Sequence, residues 1–259
     1  MSRAPLFDPP VALASLSGEA DAAWARDAAE YAGAAVLGGI ALDEQTRAAA
    51  REMVDRDRDE FLPPAPVEFV DDQLSALADV DITAGFNIRT TGHEPLAAVA
   101  EVCREHDAIC EINAHCRQDE MCAAGAGESL LTDGDRLCEQ VRVASETGAT
   151  VSVKIRTEVE GVDLSALAGR LGDAGADIVH VDAMDSEPVV AAVVEATDAA
   201  VIANNEVRDR DSVREYLDYG ADAVSVGRPS DNPAVMRRVR DAATEYFENE
   251  RAPLTEGSQ

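Results

Sequence analysis

A chain of 259 residues is long enough for one full α/β barrel with its core. Lysine and arginine together number 22 against 51 aspartates and glutamates, a formal net charge of −29, yet 46% of residues are hydrophobic and the acids are scattered through amphipathic segments, which excludes an acidic disordered tail. So negative a surface repels phosphate backbones and anionic lipid at ordinary ionic strength, and no stretch approaches the ~18 unbroken apolar residues of a membrane span.

The opening MSRAPLFDPP lacks the apolar core of a signal sequence, so a cytoplasmic protein is expected. Short β-branched or apolar runs then alternate with amphipathic stretches, the pattern of βα units around a parallel sheet. Strands are predicted at 11–15, 34–40, 82–88, 108–113, 150–156, 177–183, 200–205 and 223–227. Helices are predicted at 20–32, 43–56, 95–106, 134–147, 163–173, 187–196 and 209–219, with a last one at 233–248. Gly148, Gly175 and Gly220 each close a helical pattern just before a strand, where a left-handed C-cap is wanted. Residues 57–81 break the rhythm as a proline-rich insertion with a short helix. Eight such units predict a parallel (β/α)8 TIM barrel over residues 1–250, with 251–259 as a frayed tail.

Among the 22 basic residues only Lys154 is a lysine. Near-elimination of lysine on an acidic surface suits a salty, halophilic cytoplasm. Lys154 persists inside the apolar run VSVKIR, where an ammonium can reach a flavin edge, a phosphate or a substrate carbonyl; the alternative is a barrel-lining lysine paired with a carboxylate. The five cysteines (103, 110, 116, 122 and 138) are odd in number and form no CxxC pair, so reduced thiols are expected, with neither disulfides nor a metal site.

Parallel barrels build their sites at the C-terminal ends of the strands. Those ends carry Ser15 and Ser17, Asn87 and Arg89, Asn113 and Cys116, Lys154 and Arg156, His180 and Asp182, Asn204 and Asn205, and Gly227 and Arg228. Inward asparagine, lysine and arginine suit a ligand with amide-like edges and a phosphate. Cys116 lies three residues beyond a strand, in a long loop running to Gly125 and Gly127, a better place for acid or nucleophile chemistry than Cys110 or Cys138 within elements. Cys122 shares that loop. His115 is expected to point away from its neighbour Cys116 and to contact substrate. The Gly227-Arg228 turn before a helix start suits a phosphate, and no GxGxxG follows the first strand to hold a dinucleotide.

The spacing of Asn113, Cys116, Gly125 and Gly127 resembles the N-x-G-C-P signature and following GAG turn of the tRNA-dihydrouridine synthase family, FMN-dependent (β/α)8 barrels related to dihydroorotate dehydrogenases. VKIR with Lys154 and Arg156 resembles that family's flavin-contacting strand, VIANNEV its IGNGDI segment and VGRPSDNP its phosphate turn. Asn87 in GFNIR stands where the family has a glutamine. The chain departs from the pattern at His115 and Arg117, which replace glycine and proline, and at Asn205, which replaces a glycine. Asp182 stands in the place of a family histidine, with His180 one pleat earlier, so either could face the flavin. The match runs over residues 11–245 and resembles a divergent, barrel-only, archaeal-type branch without the helical tRNA-gripping domain.

The resemblance implies FMN as cofactor, with NAD(P)H a candidate electron donor. Ser15, Asn87, Asn113, Lys154, His180, Asp182, Asn204, Gly227 and Arg228 would hold the flavin, and Arg89, His115, Arg117 and Arg156 the substrate. It further implies reduction of a pyrimidine C5=C6 bond, with hydride from reduced FMN on one carbon and a proton from Cys116 on the other. Three functions follow: dihydrouridine synthesis in tRNA, aided by high salt or a partner subunit; flavin redox of a free pyrimidine or small conjugated substrate; or a phosphate-ligand-binding barrel without redox chemistry. Arg89, Arg104 and Arg117 on one rim beside Cys116 would guide an RNA strand, whereas arginines tied to acids would favour a small substrate.

Overall fold

The computed structural model describes residues 5–251; residues 252–259, nearly all of the expected frayed tail, lie outside the described residues. Eight parallel strands close into a barrel in chain order. They are β1 (Val11–Leu13), β2 (Ala34–Ala41), β3 (Thr83–Arg89), β4 (Ile109–Asn113), β5 (Thr150–Arg156), β6 (Ile178–Asp182), β7 (Ala200–Asn204) and β8 (Ala223–Val226). All eight expected strands are present, and β8 pairs back onto β1 through Val11↔Val224 and Leu13↔Val226. The first strand is shorter than expected, because after the Ala14 N–H bonds Val226 (2.8 Å) the chain turns away at Leu16 and Gly18.

The helices are α1 (Ala22–Ala28), α2 (Glu44–Val54), α3 (Pro66–Ser75), α4 (His93–Glu105), α5 (Asp119–Ala123), α6 (Ser129–Thr132), α7 (Gly134–Glu146), α8 (Leu164–Asp173), α9 (Val189–Ala196), α10 (Arg210–Asp218) and α11 (Pro233–Arg251). Part of the acidity serves to start them. Asp21, Asp43, Asp133, Asp163 and Asp209 each cap a helix N-terminus by accepting a backbone N–H, and Asp43 and Asp209 complete capping boxes with Thr46 and Ser212. Gly148, Gly175 and Gly220 have φ of 82°, 106° and 94°, the left-handed turns expected before β5, β6 and β8. The expected helix over 20–32 shrinks to α1, since Asp21 fixes its start and residues 29–31 form turns. The long loop after β4 carries the short helix α5, and α6 follows it after Gly127.

Side chains alternate along each strand, so every second residue points into the barrel. Outward residues such as Val151, Val153, Val179, Val181 and Val201 are fully buried beneath the helices, each stabilising the fold by roughly 1.5–3 kcal/mol. The inward set changes character along the axis. Near the strand starts Ala12, Ala34, Ile109, Ile178, Ile202 and Ala223 close the barrel floor with Phe7 beneath. One inward step higher stand Asn87, Glu111, Ser152, His180 and Ser225, all buried and polar. Above them Asn113, Lys154, Arg156, Asp182 and Asn204 reach the mouth. An apolar floor under a polar mouth is what positions the site. Among the described residues no helix is long and apolar enough to cross a membrane.

Candidate functional site

The polar layer is a connected network built around Glu111. Its Oε1 accepts from Asn87 Nδ2 (2.7 Å), and its Oε2 from His180 Nδ1 (2.7 Å) and Ser152 Oγ (3.2 Å). On the far side His180 Nε2 lies 2.7 Å from Ser225 Oγ, which also accepts from Asn204 Nδ2 (2.7 Å). Burial opposes the Glu111 carboxylate, but the charge and hydrogen bond of His180, the charge of Lys154 and the Asn87 amide outweigh it and hold its pKa down at about 2. A buried anion thus sits on the barrel axis beneath the mouth.

From this layer Asn113 connects upward. Its Nδ2 donates to Asn87 Oδ1 (2.8 Å), while its own Oδ1 accepts the backbone N–H groups of His115 (3.1 Å) and Cys116 (2.8 Å). The loop is closed from the other end by the Glu128 N–H, which donates to the Cys116 carbonyl (2.8 Å). That approach requires Gly127, whose φ is 61° and whose added Cβ would stand 2.3 Å from the Cys116 oxygen. Cys116 is half-buried against Ala41, Met53 and Met121. Its neighbour His115 turns the other way, with Nε2 2.5 Å from Asp182 Oδ2. Burial pushes the His115 imidazole below its ordinary range, aided by the charges of Lys154 and His180 and opposed by Asp182, so at neutral pH the pair is a hydrogen bond from a neutral ring to a carboxylate. Burial opposes ionisation of Asp182 too, but the hydrogen bond from His115, the Met184 N–H and the charge of Lys154 keep its pKa below the usual value.

Several expected contacts are placed differently. Arg89, expected on the substrate rim, is 1% exposed and points inward from the last position of β3. Its guanidinium forms a two-pronged ion pair with the buried carboxylate of Glu60 and donates to the Gly39 carbonyl (2.7 Å). Gly39 makes room for this, since a Cβ there would meet Asn87 Oδ1 at 2.6 Å and Arg89 Nε at 3.3 Å. Glu60 comes from the insertion, which reaches the end of β2 where Phe61 bridges Ile40. Arg156, also expected to bind substrate, is buried and paired with Glu128. Arg104 pairs with Glu105 beside the Gly148 turn, at the opposite end of the barrel. Of the three arginines expected on the rim, Arg104 and Arg117 are exposed, but only Arg117 lies on the loop at the mouth. His180 and Asn87, expected to touch the cofactor, are 0% exposed and already bonded at both ends of their polar groups, so they support the site from below.

The residues left with unused hydrogen-bonding capacity at the mouth are fewer. No hydrogen bond or ion pair ties the Lys154 ammonium to any described residue, although it is 5% exposed and within reach of the Glu111 and Asp182 charges. Arg156 Nε is a buried donor without a partner. Ser15 and Asn204 stand half-buried at the ends of β1 and β7. Gly227 opens the short 3-10 turn Arg228–Asp231, and space is open where its Cβ would be; Arg228 is exposed. An unpartnered ammonium, an unpartnered guanidinium N–H and an open glycine turn fit an acceptor-rich, anionic cofactor. The residues that sequence reasoning missed are Glu111, Ser152, Ser225 and Glu60.

A family model described as dihydrouridine synthase matches residues 86–258. The chain is 27% identical over 239 residues to an uncharacterized protein of Methanocaldococcus jannaschii, covering 86% of this chain and 89% of that one. It is 26% identical over 241 residues to a protein of Rhodobacter capsulatus named as a probable tRNA-dihydrouridine synthase, covering 86% of this chain and 68% of that one. Among solved structures it resembles morphinone reductase in complex with tetrahydroNAD, with a TM-score of 0.64 at 13% identity over 90% of this chain and 87% of that one. A variant of NCR from Zymomonas mobilis follows at 0.60 and 15%, with the same coverage of 90% and 87%. At these identities the structural likeness establishes the barrel.

Proposed function

Because the chain belongs to the dihydrouridine synthase family, we propose that it is an FMN-dependent enzyme that reduces the C5=C6 bond of uridine in tRNA. Saturating a uracil ring takes one hydride and one proton, and the two must arrive at adjacent carbons. FMN, when bound and reduced, supplies the hydride. The chain's own residues supply the rest.

The observation that carries this reading is the free Lys154 ammonium at the mouth, one register pair across from Asn113, which holds the Cys116 loop. Lys154 would hold the electron-rich edge of the flavin, the Gly227 turn and Arg228 its phosphate, and Arg156 Nε a remaining acceptor. Cys116 would donate its thiol proton to the ring carbon adjacent to the one that receives the hydride. Asn113 positions that thiol, and the Glu111 network below keeps Asn113 in register. NAD(P)H is the electron donor in this reading, and a cytoplasmic, high-salt setting agrees with the acidic surface.

Deleting the gene and mapping dihydrouridine in bulk tRNA tests the reading. Loss of the modified base at one or more positions is expected; an unchanged map contradicts it. A second reading is favoured by one observation: Arg89 is tied to Glu60 inside the mouth and Arg104 stands at the other end of the barrel, so of the three arginines expected to guide an RNA strand only Arg117 is on the rim. In that reading the substrate is a free pyrimidine. With a net charge of −29, tRNA needs a partner subunit or molar salt, where the Debye length falls to ~3 Å, to approach. Turnover of transcript tRNA against free uracil and dihydroorotate in molar KCl separates the two.

A further inference from the structure

Three of the positions at which the chain departs from the family pattern, His115, Asp182 and Asn205, meet in one hydrogen-bonded chain at the mouth. The His115 side chain spans the end of β5, which lies between β4 and β6, and places Nε2 2.5 Å from Asp182 Oδ2. Asp182 is itself fixed. Its Oδ1 accepts the Met184 N–H at 3.2 Å, and the Met184 carbonyl accepts from Asn205 Nδ2 at 2.6 Å. Met184 and Asn205 hold φ of 48° and 112° in that turn, a backbone that non-glycine residues rarely adopt. Arg156, paired in register with Asp182, is committed to Glu128 and leaves the carboxylate to the ring. An ionised carboxylate only accepts, so the ring proton sits on Nε2 and Nδ1 carries a bare lone pair. No hydrogen bond among the described residues takes up Nδ1, and 31% of the side chain is exposed, two residues beyond Asn113 and next to Cys116.

We propose that His115 determines which base the site takes: braced through Nε2–H by Asp182, it accepts at Nδ1 the N3–H of a uracil ring and so admits uracil and excludes cytosine. The inference rests on the reading of the substrate as a pyrimidine bound beside Cys116. Uracil carries its N3–H between two carbonyl groups. Cytosine has a lone pair at N3, which would face the lone pair of Nδ1 and leave both unpaired, the arrangement by which a polar site rejects an analogue lacking the matching hydrogen. The unpartnered groups already described at the mouth, the Lys154 ammonium and Arg156 Nε, are donors and cannot receive an N3–H. His115 Nδ1 supplies the acceptor. Asp182 acts through the ring: it sets the tautomer and the plane, and the Met184–Asn205 turn holds it in place.

The test is nitrogen-15 NMR of the histidine rings in the full chain, which has only four histidines, with His115→Ala assigning the signal. Near neutral pH a protonated Nε2 and a bare Nδ1 are expected. In Asp182→Asn the amide oxygen keeps the Met184 N–H, so the amide nitrogen faces the ring and donates, and the ring proton is expected to move to Nδ1. With FMN added, the Nδ1 signal is expected to shift on addition of unmodified tRNA transcript or uracil and to stay in place with 3-methyluracil or cytosine. Uracil is expected to bind at least about tenfold more tightly than 3-methyluracil to the parent, and the two about equally to His115→Ala. A merely structural pair would not distinguish the two bases. A proton on Nδ1 in the parent, or the same response to uracil and 3-methyluracil, overturns the proposal. If Nδ1 responds to uracil alone in a protein that makes no dihydrouridine, the recognition stands and the reading of the reaction fails. Dihydrouridine synthesis with an unresponsive Nδ1 leaves the reaction standing and removes His115 from it.

Discussion

The side chain of Asn113 holds the backbone of Cys116: Asn113 Oδ1 accepts the Cys116 N–H at 2.8 Å, so the last residue of β4 fixes the first turn of the loop that carries the thiol. The same side chain is anchored below by Asn87 and, through it, by Glu111. Position is thereby transmitted from a buried anion to a half-buried sulfur in three hydrogen-bonded steps.

Replacing Asn113 with alanine frees the loop without touching the thiol. Turnover is expected to fall by roughly 10²-fold, the scale of a ~1 Å misplacement, while cofactor content stays near that of the parent. Single-turnover rates alongside visible absorbance measure both. An equal loss of cofactor would place Asn113 in the binding site instead.

Cys116→Ala is expected to retain a reducible flavin while turnover drops by roughly 10² to 10⁴, the size of a general-acid effect. Cys122→Ala should do much less, because its thiol donates to the Cys116 carbonyl at a long 3.5 Å and does not face the reacting carbon in this reading. Comparable losses in the two variants would make the loop structural.

The barrel itself is legible in the sequence because parallel strands buried on both faces read as apolar runs, and VSVKIR, DIVHVDA and AVSVG all fall on strands. The site is legible only at its edge. Glu111 sits in the middle of ICEIN, whereas strand ends are where a barrel's function is sought; an acid inside a buried run is the signal that marks it. Arg89 reads as a rim residue from its position at the end of β3, but its partner lies in an insertion whose course leaves no periodicity to read. The choice between His180 and Asp182 depends on height along the barrel axis. His180 belongs to the buried layer and Asp182 to the mouth, a distinction of one pleat that strand boundaries alone do not fix.

Lys154→Ala should weaken or abolish flavin retention, since no described residue already satisfies the ammonium and the ligand is its expected partner. Flavin released per protein on heat denaturation measures this. Full occupancy and normal reducibility in the variant would assign Lys154 to the Glu111 network alone.

Stability should depend on Glu111 in acid. Its folded pKa is depressed to about 2 from an ordinary 4.5, so the unfolded chain binds the proton more readily. Its contribution is therefore fully present above pH ~4.5 and is lost as pH falls toward ~2, with a magnitude on the order of a few kcal/mol. Glu111→Gln should lower stability at neutral pH and flatten the acid limb of a denaturant-midpoint profile. A variant with the parent's slope between those pH values would remove Glu111 from the centre of the network.

The most direct measurement is a single turnover: protein loaded with FMN, reduced under anaerobic conditions and mixed with unmodified tRNA transcript in molar KCl. Reoxidation of the flavin is expected, with one dihydrouridine, a gain of two hydrogens, formed for each flavin reoxidised. A flavin that stays reduced in the presence of tRNA and of free uracil alike, or a protein that takes up no flavin, would contradict the reading of this barrel as a pyrimidine reductase.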